Sequence, residues 1–151
     1  SGLVIATNFQ NTHGNKSAYF GSGSGVGDTS YASTAIGVDA LRGFGFGSNS
    51  GERNVAVGRA SLYNNTTGRN NIGVGDSALR HVTIGERNTA VGQSALLGNY
   101  ESASVDYNNN TAIGNWAGRN HTDNTGNHVL TEAQGSIFIG TGANAKQNNA
   151  I

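Results

Sequence analysis

The chain has 151 residues, including 24 Gly and 21 Asn, no Pro, Cys or Met, and nine acidic residues against nine basic ones. Zero Cys excludes disulfides and thiolate metal sites, no apolar run approaches the ~20 residues of a membrane-spanning helix, and the scattered basic residues do not make a nucleic-acid surface. Apolar residues at 35% and aromatics at 7% leave few large side chains for one conventional core, while 12% charge without Pro is unlike a disordered chain. Order through the stacking of similar units fits this composition best.

In chain order, residues 1–15 form a lead-in, residues 16–145 carry a repeat, and residues 146–151 form a closing connection. The stretch ERNVAVGRASL at 52–62 returns as ERNTAVGQSAL at 86–96. Its centre recurs as YFG at 19–21, AIG at 35–37, AVG at 56–58, GVG at 73–75, AVG at 90–92, AIG at 112–114 and FIG at 138–140. The anchoring glycines are Gly21, Gly37, Gly58, Gly75, Gly92, Gly114 and Gly140, with spacings of 16, 21, 17, 17, 22 and 26 residues. The short spacings give the unit; the excess marks insertions.

Around each Gly the flanks repeat too. Four places before it stands Asn or Ser, and one place before it a large apolar residue such as Ile36, Val57 or Ile113. Three places after it, from the second copy on, stands Ala or Ser, followed in four copies by Leu41, Leu62, Leu79 or Leu96. In a strand, alternate side chains face opposite ways. The residues three and one before the Gly, mostly β-branched, are therefore expected to fill a thin core. The Ala and Gly between them are expected to admit a second layer or a second chain. Each unit reads as a short strand, a turn, a second short strand around the Ala-Leu pair, and another turn. The Asn before the strand suits a turn by bonding local backbone groups. Sustained helical periodicity is absent and Gly recurs too often for helices. The fold class is all-β, a parallel β-solenoid of about seven short rungs with long loop insertions, roughly 30 Å tall at ~4.8 Å per rung.

Insertions in a repeat scaffold are where binding surfaces arise. The longest are RGFGFGSNS at 42–50, LLGNYESASVDYNN at 96–109 and GRNHTDNTGNHVLTEAQG at 118–135. They hold Phe44, Phe46, Tyr100, Tyr107, His121, Asp123 and His128, and Trp116 sits just before the last of them. Aromatic rings beside Asn, Asp and Arg match what a sugar surface needs: a ring face for the pyranose, polar groups for its hydroxyls. The same rings also serve to clamp loops or cap the core. His121, Asp123 and His128 are metal-ligand types, but their spacing matches no metal motif, so neither metal nor cofactor is expected. Arg-Asn pairs at 53–54, 69–70, 87–88 and 119–120 recur in the turns, as an ion-pair ladder or a receptor-binding stripe. Nine acidic residues, several in repeat turns, offer no placed carboxylate pair, and no Ser-His-Asp or phosphate-loop signature is present. No enzymatic activity is expected.

NTAVGQSAL, NTAIGNWAG and SIFIGTGANA resemble the head repeats of trimeric autotransporter (YadA-like) adhesins, and equally the repeats of phage-type tail fibres. The resemblance covers about residues 16–145. It implies a left-handed parallel β-roll in an intertwined homotrimer, an extracellular place on a bacterial surface or at a phage-type fibre tip, and attachment to a target-cell glycan or protein without membrane insertion by this segment. The lead-in and closing segments would then join the head to the rest of a fibre, a structural spacer or a polysaccharide-degrading tailspike being the other readings. The 16–17 residue unit is longer than the adhesin repeat, and three units are expanded.

Overall fold

The computed structural model describes residues 17–27, 31–43, 50–98, 106–119 and 132–143. Among them the chain forms nine three-residue strands and no helix. In order these are β1 (Ala18–Phe20), β2 (Thr34–Ile36), β3 (Val55–Val57), β4 (Ile72–Val74), β5 (Thr89–Val91), β6 (Asp106–Asn108), β7 (Thr111–Ile113), β8 (Glu132–Gln134) and β9 (Ile137–Ile139). Seven of them make one parallel sheet in the order β1-β2-β3-β4-β5-β7-β9, and β6 pairs in parallel with β8. The register superimposes equivalent repeat positions, as in Ala35 against Ala56, Ala90 against Ala112 and Val91 against Ile113. The protein is a parallel β-solenoid.

The anchoring glycines have a steric cause. Gly58 lies at φ 121°, and a Cβ there would stand 2.5 Å from the carbonyl oxygen of Gly75 on the next rung. Stacked rungs bring these backbones too close for any side chain. After the glycine the chain does not form the expected second strand. Residues two places on, from Asp39 (φ 55°) to Trp116 (φ 61°), and Leu41, Leu62, Leu79 and Leu96 four places on, all take left-handed conformations. Left-handed residues at every second position curl the backbone into consecutive turns, where a strand would need uniform extension.

The facing of the strands is the reverse of the sequence expectation. The central residues Ala35, Ala56, Ala90 and Ala112 are fully buried, whereas the β-branched flanks lie outward, with Ile36 43% and Ile113 44% exposed. A pass of 16–17 residues encloses a narrow interior. Leu41, Leu62, Leu79 and Leu96 project into it from the turns, joined by Ala40, Ala78, Ala95 and Ala117. Small side chains stand opposite them from β2 to β7, and Phe138 fills the equivalent place on β9 at the end of the stack. At Gly73 even a methyl is too large, because an added Cβ would lie 2.6 Å from Ser61 Oγ, whose hydroxyl donates to the Gly73 carbonyl at 3.0 Å.

The polar residue before each strand is buried and bonds along the stack; the expected local turn bond is not its main role. Asn71 N–H donates to Asn54 Oδ1 at 3.0 Å, Asn88 N–H to Asn71 Oδ1 at 3.0 Å, and Asn110 N–H to Asn88 Oδ1 at 3.1 Å. Ser17 and Ser33 extend the row at one end and Ser136 at the other. Asn54 and Asn71 also donate their side-chain amides to the carbonyls of Gly68 and Gly85. The left-handed residue of this corner comes one place earlier, at Arg53, Asn70, Arg87 and Asn109, each just before the buried asparagine.

Candidate binding surfaces

Among the described residues the outward flanks of the strands build a continuous apolar row. Phe20, Ile36, Val57, Val74, Val91, Ile113 and Ile139 stand one above another at the end of each strand, because the register is exact from β1 to β9. Ile72 and Ile137 lie beside them, 42% and 41% exposed, and Ile139 is 70% exposed. An unbroken apolar row of this kind marks an interaction face.

Of the aromatic candidates, Trp116 is at the surface. It occupies a left-handed turn position, is 46% exposed, and carries the Arg119 guanidinium 5.1 Å from its ring centroid. Tyr107 is corrected to a core residue. At the centre of β6 it is 1% exposed within the apolar cluster, and burial pushes its phenol up to about 12. The alternation that places Ala133 opposite it across β6 and β8 turns its side chain inward, so no ligand reaches it. Phe44, Phe46, Tyr100, His121, Asp123 and His128 lie outside the described residues.

Where β6 and β8 widen the coil, Ile84, Glu86, Arg87, Asp106, Asn108, Asn109 and Gln134 line an open polar hollow of about 400 Å³. Asn108 ties it together, donating to Asp106 Oδ1 at 2.6 Å and accepting from the Glu86 N–H at 2.8 Å. The Arg-Asn turns do form ion pairs. Arg53 meets Glu52 and Arg87 meets Glu86 within a rung, and Arg69 reaches Glu86 from the next, each at 3.5 Å. At half-exposed sites such pairs contribute about 0–1 kcal/mol each. Arg59 grips Asp76 through both carboxylate oxygens at 2.9 and 3.1 Å. The Ser77 hydroxyl, then Arg59, hold that carboxyl below its ordinary range.

On the turn face, five residues after each anchoring glycine, stand Val26, Arg42, Tyr63, Arg80, Leu97 and Arg119. Arg42 and Arg80 lie 5.8 and 5.6 Å from the Tyr63 centroid. His81 beside them has its ring nitrogen 3.1 Å from Asn64 Nδ2, and burial, then the Arg80 charge, lower its pKa. This arginine column was readable from the repeat alignment, but only the structure tells it from the turn arginines. Among the described residues no group of three or more His, Asp or Glu side chains gathers as for a metal, and no helix is long and apolar enough to cross a membrane. Comparisons with protein families, curated proteins and solved structures find no significant match.

Proposed function

We propose that this chain is the receptor-binding head of an extracellular fibre, three copies of which pack their apolar rows together and present the turn face to a saccharide on a target cell. The carrying observation is the division of the surface. One face is an unbroken column of Ile, Val and Phe along the whole sheet, and the turns that follow the strands carry Trp116, arginines and amides. A rod whose interior is Ala and a few Leu has little core of its own, and covering the apolar face with sister chains supplies the missing burial. The number three comes from the adhesin and tail-fibre resemblance. An exposed indole flanked by a guanidinium is suited to pack on a pyranose while donating to its hydroxyls.

A glycan array probed with the purified assembly tests this reading. A defined set of saccharides is expected to bind, and Trp116→Ala is expected to lower that signal at least tenfold while leaving the oligomer intact. An array with no saccharide bound, or a signal that Trp116→Ala leaves unchanged, rejects it.

A further inference from the structure

We infer that the turn face reads an acidic saccharide, with Arg80 and Arg119 taking successive carboxylate or sulfate groups of a polymer lying along the rod. This rests on the saccharide-binding reading above and names the chemistry of its ligand. Seven arginines fall among the described residues, and five have carboxylate partners: Arg42 with Asp39, Arg53 with Glu52, Arg59 with Asp76, and Arg69 and Arg87 with Glu86. Arg80 and Arg119 have none among those residues. The Nε of each is shut off from solvent and meets no acceptor. An arginine retained for the fold alone normally satisfies that donor, because a buried unmet donor forfeits its hydration without a replacement bond.

What holds both side chains is an aromatic ring, Tyr63 under Arg80 and Trp116 under Arg119. Stacking uses the face of a guanidinium and leaves its outer N–H edge, the fork that matches a carboxylate or sulfate. The neighbouring charges are accounted for. Asp76 is already held by Arg59 and Ser77, and His81 is disfavoured as a cation by burial and by Arg80 itself. Arg80 acts on Asp76 through space but grips no carboxylate among the described residues, so its fork stays open to an outside acid.

Spacing favours a saccharide. Arg80 and Arg119 belong to alternate rungs of one column with Leu97 between them, so they sit about 10 Å apart at ~4.8 Å per rung. A polymer with one acid per disaccharide presents charges at about that interval and C–H faces between them for Leu97 and Trp116. A nucleic acid carries a phosphate on every nucleotide and is held by clustered cations; here, with Arg42 paired to Asp39, the column leaves Arg80 and Arg119 in a chain of zero net charge.

The test measures binding of the intact assembly to hyaluronan oligosaccharides, to the same oligosaccharides after carboxyl reduction, to a chondroitin sulfate, and to single-stranded DNA. At least one acidic saccharide is expected to bind, to weaken as salt rises, and to lose at least tenfold in affinity with Arg80→Gln or Arg119→Gln. Arg80→Lys, which keeps the charge and loses the fork, is expected to recover only part of that loss. Equal binding of hyaluronan and its carboxyl-reduced form overturns the inference and leaves a reader of neutral sugars. Binding of DNA alone overturns it too, as does an array in which only neutral glycans bind. The carboxyl-reduction comparison needs no variant, so a misfolded substitution does not blunt it.

Discussion

At the scale of single residues, conformation explains more of this chain than side-chain chemistry does. Arg53 lies at φ 56° and Arg87 at the same angle, in the region where an L-residue loses about 1–2 kcal/mol relative to its usual wells. Their ion pairs with Glu52 and Glu86 are too exposed and too long to offset this. The backbone bond from the Arg53 N–H to the Tyr31 carbonyl at 2.9 Å instead fixes the turn. Arg53→Gly keeps that bond, relieves the angle and adds unfolded-state entropy, so the unfolding free energy is expected to stay within about 1 kcal/mol of the parent. Arg53→Val is expected to lower it by about 1–2 kcal/mol, since a β-branched side chain tolerates the left-handed region poorly. Urea titrations of both variants check this. Equal midpoints for Gly and Val would show that the turn does not impose the angle.

At the scale of the element, the buried asparagine row does for the corner what the strand ladder does for the sheet. Asn71 accepts from both the backbone and the side chain of Asn88 and donates to the Gly85 carbonyl at 2.7 Å. Asn71→Ala leaves the Asn88 N–H and the Gly85 oxygen without partners inside the rod, a loss expected to reach about 2–4 kcal/mol. Asn71→Ser is expected to fall between, because Ser33 in the equivalent place still accepts the next rung's N–H at 3.2 Å. Thermal or denaturant unfolding that ranks Ser below Ala would remove the row from the account. The repeat itself was legible because glycine, asparagine and leucine recur at fixed offsets. The facing was not. Alternation assigns two faces to a three-residue strand but does not say which is inside, and the usual preference for burying Val and Ile gave the wrong answer. What decided it was the width of the coil, set by left-handed leucines that no periodicity reveals. One local clue was present: the copy with Gly73 at the strand centre follows the copy with Ser61 in place of Ala, and those two atoms compete for one space. Tyr107 was misread for a related reason, since an aromatic in an insertion is as ready to seal a widened coil as to meet a ligand. Trp116, legible in the sequence only as a ring beside the last insertion, is 46% exposed in a repeat position whose other occupants, such as Ser94, are small.

At the scale of the whole molecule, the exposed row from Phe20 to Ile139 is the feature that a single chain leaves unexplained. Ile113 stands one rung in from the end of the row, 44% exposed on β7 and flanked in register by Val91 and Ile139. In an isolated chain Ile113→Glu changes a solvent-facing strand position, and surface substitutions of that kind cost well under about 1 kcal/mol, with a modest addition for lost strand propensity. In an assembly that buries the row, the same change places one carboxylate per copy in an apolar interface with its sister carboxylates beside it and no cation opposite. Each unpaired charge there costs several kcal/mol, and symmetry multiplies the cost by the number of copies. The two states thus differ sharply in how much one substitution costs them. The parent is expected to sediment as three chains and Ile113→Glu as one, with the β signal in circular dichroism retained. A parent that sediments as one chain, or a variant that remains an oligomer with an unchanged melting temperature, would mean that the apolar row is covered by something other than a second copy of itself.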